Sequence, residues 1–212
     1  LLFYRSVSQG IRGIIIASFI MLAFGVVDDW KELSIVAKFL VQIIATSLLV
    51  FFGVRTQIVY IGNLANIIIT FLWVLGITNA FNHLDVIDGI AAGIALIVSL
   101  ALFTVSLLNG DIKNVILTSA LIGAILSFLI YNLPPAKIYM GNSGSHFLGF
   151  TLAAIALTLS YATMERKLAL FSPILILGFP IFDTAFLILI RMSRGRSALK
   201  KSDDHIALRF LR

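Results

Sequence analysis

The 212-residue chain contains no cysteine. Disulfides and thiolate metal sites are thereby excluded. Charge is almost as scarce: Asp, Glu, Lys and Arg make up 12% of the residues, against about 25% in ordinary soluble domains. A soluble fold of this size would have too little polar surface to cover itself. The first ten residues show no ordered charged region, apolar stretch and cleavage site, so no cleavable signal peptide is evident. An initiator Met is lacking and both ends are abrupt, so the chain is expected to be a piece of a longer protein. What the chain has in abundance is apolar surface. Hydrophobic residues make up 60%, and the mean hydropathy is +1.06. That places it in the membrane class before any motif is read.

A membrane-crossing helix needs roughly 20 mostly apolar residues. Seven segments come near this: Ile11–Val27, Ile35–Phe52, Ile67–Ala80, Ile90–Leu108, Val115–Tyr131, Phe147–Tyr161 and Leu168–Ile190. The third and sixth are short and are expected to extend into their flanks. No internal repeat or low-complexity linker stands out. The expectation is an all-α polytopic helical bundle of about seven spans, forming one integral membrane domain over residues 1–212.

Seven successive spans alternate sides. Residues 28–34, 79–89, 132–145 and the tail from Arg191 then share one side. That side carries Lys31, Lys38, Lys137, Arg191, Arg194, Arg196, Lys200, Lys201, Arg209 and Arg212. The other carries Arg5, Arg12, Arg55, Lys113, Arg166 and Lys167. The excess of cations makes the first side cytoplasmic. Acids obey no such rule, yet Asp28, Asp29, Glu32, Asp85, Asp88, Asp203 and Asp204 all fall on the same side. Their clustering calls for a chemical reason. A basic tail after an apolar span suits lipid headgroups or a phosphorylated ligand better than nucleic acid.

Four motifs make up that side. In Gly25-Val26-Val27-Asp28-Asp29-Trp30, two adjacent carboxylates at the mouth of an apolar helix repel each other and are costly to desolvate. A divalent cation or a cationic partner would resolve that cost; a solvated helix end is the plainer alternative. In the second motif, Asn79, Asn82, Asp85 and Asp88 recur every third residue. On a helix this spacing predicts one polar stripe. Either a ligand or a structural network between helices would explain it. The third motif, Met140-Gly141-Asn142-Ser143-Gly144-Ser145, follows Pro134-Pro135, which end the fifth span. It opens a helix whose free N–H groups could receive a phosphate. The fourth is the tail, with Arg191, Arg194, Arg196, Lys200 and Lys201 leading into Asp203-Asp204-His205. Cations there would suit a pyrophosphate, or simply anchor the tail on the inner leaflet. Asp183, deep in the seventh span, is expected to face the bundle interior.

Taken in order, these motifs resemble the polyprenyl-phosphate N-acetylhexosamine-1-phosphate transferase family. The likeness rests on four features. They are Asp28-Asp29 with Lys38 and Gln42, the series Asn79, Asn82, Asp85, Asp88-Gly89, the run Met140–Ser145 with Leu148-Gly149-Phe150, and Asp204-His205-Ile206 in a basic loop. The resemblance implies a bundle of ten or eleven helices in a bacterial inner membrane, with cytoplasmic active-site loops near 28–38, 79–89, 132–146 and 191–212. It implies transfer of a sugar-1-phosphate from a UDP-N-acetylhexosamine to polyprenyl phosphate, initiating a cell-envelope polysaccharide. Magnesium is the implied cofactor, with manganese as the alternative. The implied catalytic acids are Asp28, Asp29, Asp85 and Asp88. Lys38, Asn79, Asn82, Arg194, Arg196 and His205 are the implied substrate contacts. Asp28, Asp29, Asp88 and Asn142 are the implied metal residues. No nucleic acid is implied, and a homodimer is compatible with the resemblance. Three positions depart from the family pattern. Asn142 stands where a metal-binding Asp is usual, His205 is alone where a histidine cluster is usual, and Val86 replaces a Gly. An impaired paralogue therefore stays open, as does, more remotely, a transporter. A transporter would place its ionisable groups at mid-membrane in repeated broken helices, a pattern not seen here.

Overall fold

A computed structural model describes residues 9–159 and 171–193. Its elements are all helical: α1 (Gln9–Trp30), α2 (Ile35–Phe51), α3 (Gly62–Leu84), α4 (Ile90–Leu108), α5 (Ile112–Asn132), α6 (Gly141–Thr158), α7 (Ser172–Ile176) and α8 (Gly178–Ser193). Local chemistry sets several ends. Ser34 caps α2 by accepting the Ala37 N–H at 3.2 Å, and Asp111 caps α5 by accepting that of Asn114 at 3.2 Å. Asn132 ends α5 ahead of Pro134-Pro135, as the prolines require.

The expected count of seven spans is not met. Four described helices are long and apolar enough to cross a membrane: α1, α3, α4 and α5. Helix α2 is apolar but reaches only 17 residues. Helix α6 spends its first six residues, Gly141–His146, on polar and small side chains that belong to the motif. The expected seventh span is broken at Leu177 into α7 and α8, with prolines at positions 173 and 180. Proline supplies no N–H and cannot sit deep in a helix. The third span, by contrast, is longer than its apolar run, because it recruits Asn79, Asn82 and His83 as helical residues.

Helix α6 is the hub. Eleven of its 18 residues are buried, and it packs most extensively against α1 and α3. Small residues such as Ala153, Ala154 and Ala156 let neighbours approach. In lipid there is no hydrophobic drive between helices, so close packing and interhelical hydrogen bonds hold them together. Two such bonds tie α6 in place: Thr151 Oγ1 donates to Ser18 Oγ at 2.8 Å, and Trp73 Nε1 donates to the Ala153 carbonyl at 3.2 Å. Each is worth roughly 0.6 kcal/mol in such a setting. The N-terminus of α6 is thereby held between the C-terminal ends of α1 and α3.

Candidate active site

The two carboxylates that end α1 are neighbours in sequence but have separate partners. Asp28 turns inward and is 2% exposed. Its Oδ1 accepts the Leu33 N–H at 2.8 Å, and its Oδ2 lies 2.6 Å from Lys38 Nζ on α2. That second contact is an ion pair without hydrogen-bond alignment, so charge neutralisation is what it supplies. Asp29 turns toward α6. Its Oδ1 accepts the Asn142 N–H at 2.7 Å, and its Oδ2 accepts the Ser143 N–H at 2.9 Å. The sequence-based expectation of a phosphate on the α6 N-terminus is thus corrected: a carboxylate from α1 occupies those donors, which favour negative charge. Glycine makes the approach feasible. Any Cβ at Gly25 would collide with the Ser143 Cα. Gly141 adopts φ +64°, in the left-handed region, directly against the Asp29 carboxylate.

The expected polar stripe over Asn79, Asn82, Asp85 and Asp88 is also corrected. Helix α3 ends at Leu84, and Asp85 to Gly89 form the turn into α4. Only the two asparagines share the helix, and they serve different neighbours. Asn79 exchanges a reciprocal amide pair with Gln42 of α2, at 2.8 and 3.3 Å. Asn82 Nδ2 donates to Asn142 Oδ1 at 2.9 Å and to Ser145 Oγ at 3.0 Å. The turn is pinned by Gly89, whose N–H donates to Asn132 Oδ1 at 3.0 Å.

Asp85 and Asp88 are half-buried in that turn. Burial, with Asp29 and Asp88 as like-charged neighbours, pushes the Asp85 carboxyl up to about 6; a backbone hydrogen bond from Gly141 works the other way. No described residue donates a hydrogen bond to the Asp88 carboxylate. The structure therefore gathers Asp28, Asp29, Lys38, Asn79, Asn82, Asp85, Asp88 and Asn142 at one end of the bundle. Arg194, Arg196 and His205 lie outside the described residues. Asp183 is buried, at 1% exposure, as its place in an apolar helix requires.

Two residues given no role from sequence join this end. His146 is 1% exposed, edge-on to Phe24, with Nδ1 2.8 Å from the Asn142 carbonyl. A carbonyl only accepts, so Nδ1 carries the proton. Ser145 Oγ donates to the Gly141 carbonyl at 2.8 Å. The only sequence signal for either was membership of the Gly/Ser run. Arg191, in the last turn of α8, is 2% exposed.

With this geometry in view, comparison with known proteins decides the family. The family model described as glycosyl transferase family 4 matches residues 11–160. The chain belongs to that family. Among family relatives, it is 34% identical over 209 residues to a probable undecaprenyl-phosphate N-acetylglucosaminyl 1-phosphate transferase of Bacillus subtilis, covering 93% of this chain and 57% of the relative. It is 34% identical to a decaprenyl-phosphate N-acetylglucosaminephosphotransferase of Mycolicibacterium smegmatis, covering 96% of this chain and 57% of the relative. It is 40% identical over 89 residues to a phospho-N-acetylmuramoyl-pentapeptide-transferase of Limosilactobacillus fermentum, covering 42% of this chain and 28% of the relative. The chain thus spans little more than half the length of the first two. Family 4 members are transferases, and the match places these motifs in a multi-pass membrane enzyme family.

The resemblance implies a cation held by Asp28, Asp29, Asp88 and Asn142. Those four do not fit as a ready-made ligand set. Asp28 is neutralised by Lys38, both Asp29 oxygens cap α6, and Asn142 Oδ1 is taken by Asn82. Among the described residues no three acidic or histidine side chains converge on one point.

Proposed function

We propose that this chain carries the catalytic end of an enzyme that transfers a sugar-1-phosphate from a UDP-N-acetylhexosamine to polyprenyl phosphate. The products are polyprenyl-diphospho-sugar and UMP, and the acidic end of the bundle faces the cytoplasm. The observation that carries this reading is the convergence of Lys38, Asp85, Asp88 and Asn142 at the mouth of an apolar bundle, in a chain of this family. A soluble nucleotide can reach such a mouth from water, and a lipid acceptor can reach it sideways from the bilayer.

An oxygen of the acceptor phosphate attacks the phosphorus bearing the sugar. A new P–O–P link forms, and the bond to the UMP phosphate breaks as UMP leaves with that electron pair. The acceptor arrives as an anion, so no strong base is required. The protein's task is in-line positioning and charge neutralisation. Lys38 brings a cation held in place by Asp28. Asp29 holds the first turn of α6, and with it Asn142, in register with the Asp85–Asp88 turn. The reaction also calls for a divalent cation, magnesium or its substitute manganese, to offset the diphosphate charge.

The reading is tested by incubating the purified full-length protein in detergent with undecaprenyl phosphate, magnesium and a panel of UDP-N-acetylhexosamines. UMP release with at least one donor is expected. No release with any donor sinks the proposal.

A further inference from the structure

We infer that the connection between α2 and α3, residues 52–61, docks on the bilayer at the end opposite the acidic site, as an anchor in the lipid boundary. Its partner is lipid: acyl chains for the apolar tip and anionic headgroups for Arg55.

By alternation of spans, this connection shares its end with the one between α4 and α5, and the two differ in kind. The α4–α5 connection is Asn109-Gly110-Asp111, short and polar, as suits a turn in water. The α2–α3 connection runs through Ile58-Val59-Tyr60-Ile61, with Leu64 just inside α3. Val59 and Tyr60 are 84% and 82% exposed, and Phe51, Ile61 and Leu64 are exposed as well.

Helix length gives a reason for such a surface. Helix α2 has 17 residues, which span about 26 Å at the α-helical rise, against about 30 Å of hydrocarbon. The helix stops before the hydrocarbon does, and the chain continues at that depth as a loop. Irregular backbone is tolerated there only where the protein itself meets its polar groups. Helix α3 does so. The Ile58 N–H donates to Asn66 Oδ1 at 2.8 Å. Asn66 Nδ2 donates back to the Ile58 carbonyl at 3.0 Å and to the Gly62 carbonyl at 2.9 Å. The Thr56 N–H donates to Thr70 Oγ1 at 2.9 Å, and the Thr56 hydroxyl donates to the Asn66 carbonyl at 2.6 Å. Asn66 and Thr70 are buried. Polar groups of the loop are thus met by α3 while its apolar side chains are exposed, the inverse of a loop built for water.

Charge agrees with a lipid partner. Arg55 is the only Asp, Glu, Lys or Arg between Lys38 and Asp85. Its Nη1 donates to Asn63 Oδ1 at 2.6 Å, which holds the guanidinium at the start of α3. An arginine so placed can lay its stem along acyl chains and offer its remaining donors to lipid phosphates. Tyrosine, the residue at the tip, is enriched at this boundary because it is apolar with one polar end.

A fluorescent probe tests the inference. Val59→Cys is introduced into the full-length protein, with any other cysteine removed, and labelled with nitrobenzoxadiazole. The protein is reconstituted in vesicles of phosphatidylethanolamine and phosphatidylglycerol. Lipids carrying a doxyl group near the top of the acyl chain should quench most of the emission, and aqueous iodide should quench little of it. Iodide quenching as complete as that of the free dye in buffer places the tip in water and overturns the inference. A probe that neither reagent reaches is covered by another segment of the protein, which also overturns it. So does lipid quenching that disappears as protein is concentrated in the vesicles, since a second copy then covers the tip. Asn66→Ala leaves the Ile58 N–H and carbonyl without their partner, so lipid quenching should fall and iodide quenching rise; unchanged quenching overturns the role given to Asn66. Exchanging phosphatidylglycerol for phosphatidylcholine should weaken the lipid quenching, and Arg55→Gln should abolish that dependence. No dependence in either protein removes Arg55 from the contact.

Discussion

The Asp28–Asp29 corner and the Asp85–Asp88 turn look alike as text: paired acids next to apolar helices on the same side of a membrane. In three dimensions they are opposites. The corner is saturated, its carboxylates meeting an ammonium and three backbone N–H groups. The turn is far less satisfied: Asp88 accepts nothing from described residues, and the Asp85 carboxyl, with one backbone hydrogen bond from Gly141, is pushed up to about 6. A saturated acid holds the architecture. An unsaturated, partly desolvated acid has chemistry in reserve, and perturbed groups of that kind concentrate at functional sites.

Four measurements would break or sharpen that contrast. The largest effect is expected at the turn. Asp88→Asn should lower kcat/KM for UMP release about 100- to 1000-fold, the usual scale for losing an electrostatic group at a reacting centre, while leaving thermal unfolding unchanged. Equal activity would remove the turn from the site. At the corner the effect should fall on stability. Asp28→Ala strands the Lys38 ammonium and the Leu33 N–H, at a cost of about 2 kcal/mol, read as a lower unfolding midpoint in detergent. Should the midpoint not move, the ion pair is not structural. Next, Asp29→Ala uncaps α6, a loss of about 1 kcal/mol. Hydrogen exchange at the Asn142 and Ser143 amides should quicken; unchanged protection would contradict the cap.

The smallest effect is a pH dependence. Asp85 should titrate near pH 6 in the folded protein, against 3.8 for its ordinary value. The folded state then binds that proton more tightly than the unfolded chain does. Stability from this group is gained as pH falls from about 6 toward 4 and is lost as pH rises through 6. Activity needs the ionised form, so log kcat/KM should climb with pH up to an inflection near 6. Asp85→Asn should flatten that inflection; an unaltered profile would assign it to another group.

Much was legible in the text. Hydropathy placed the apolar segments, and the limits of α2 and α4 fall within a residue of their apolar runs. Alternation of connections correctly brought Asp28, Asp29, Asp85, Asp88 and Asn142 to one end. Periodicity failed where it met the turn. A three-residue spacing reads as a stripe only while the backbone stays helical, and α3 stops at Leu84. Hydropathy also failed at α6, because a helix buried among other helices can open with polar residues that a lipid-facing helix cannot carry. Nothing in the text marked His146 apart from its neighbours.

Membership of the membrane class, the common end of Asp28, Asp29, Asp85 and Asp88 and the amide at position 142 were determined by the sequence alone, because composition and residue order are enough to set them. Which acids are spent and which are available was decided only by tertiary structure. A carboxylate's charge can be met by an ammonium on another helix, or by N–H groups more than 100 residues away, as at Asp29. No local pattern encodes those partners; they exist only once α1, α3 and α6 have packed.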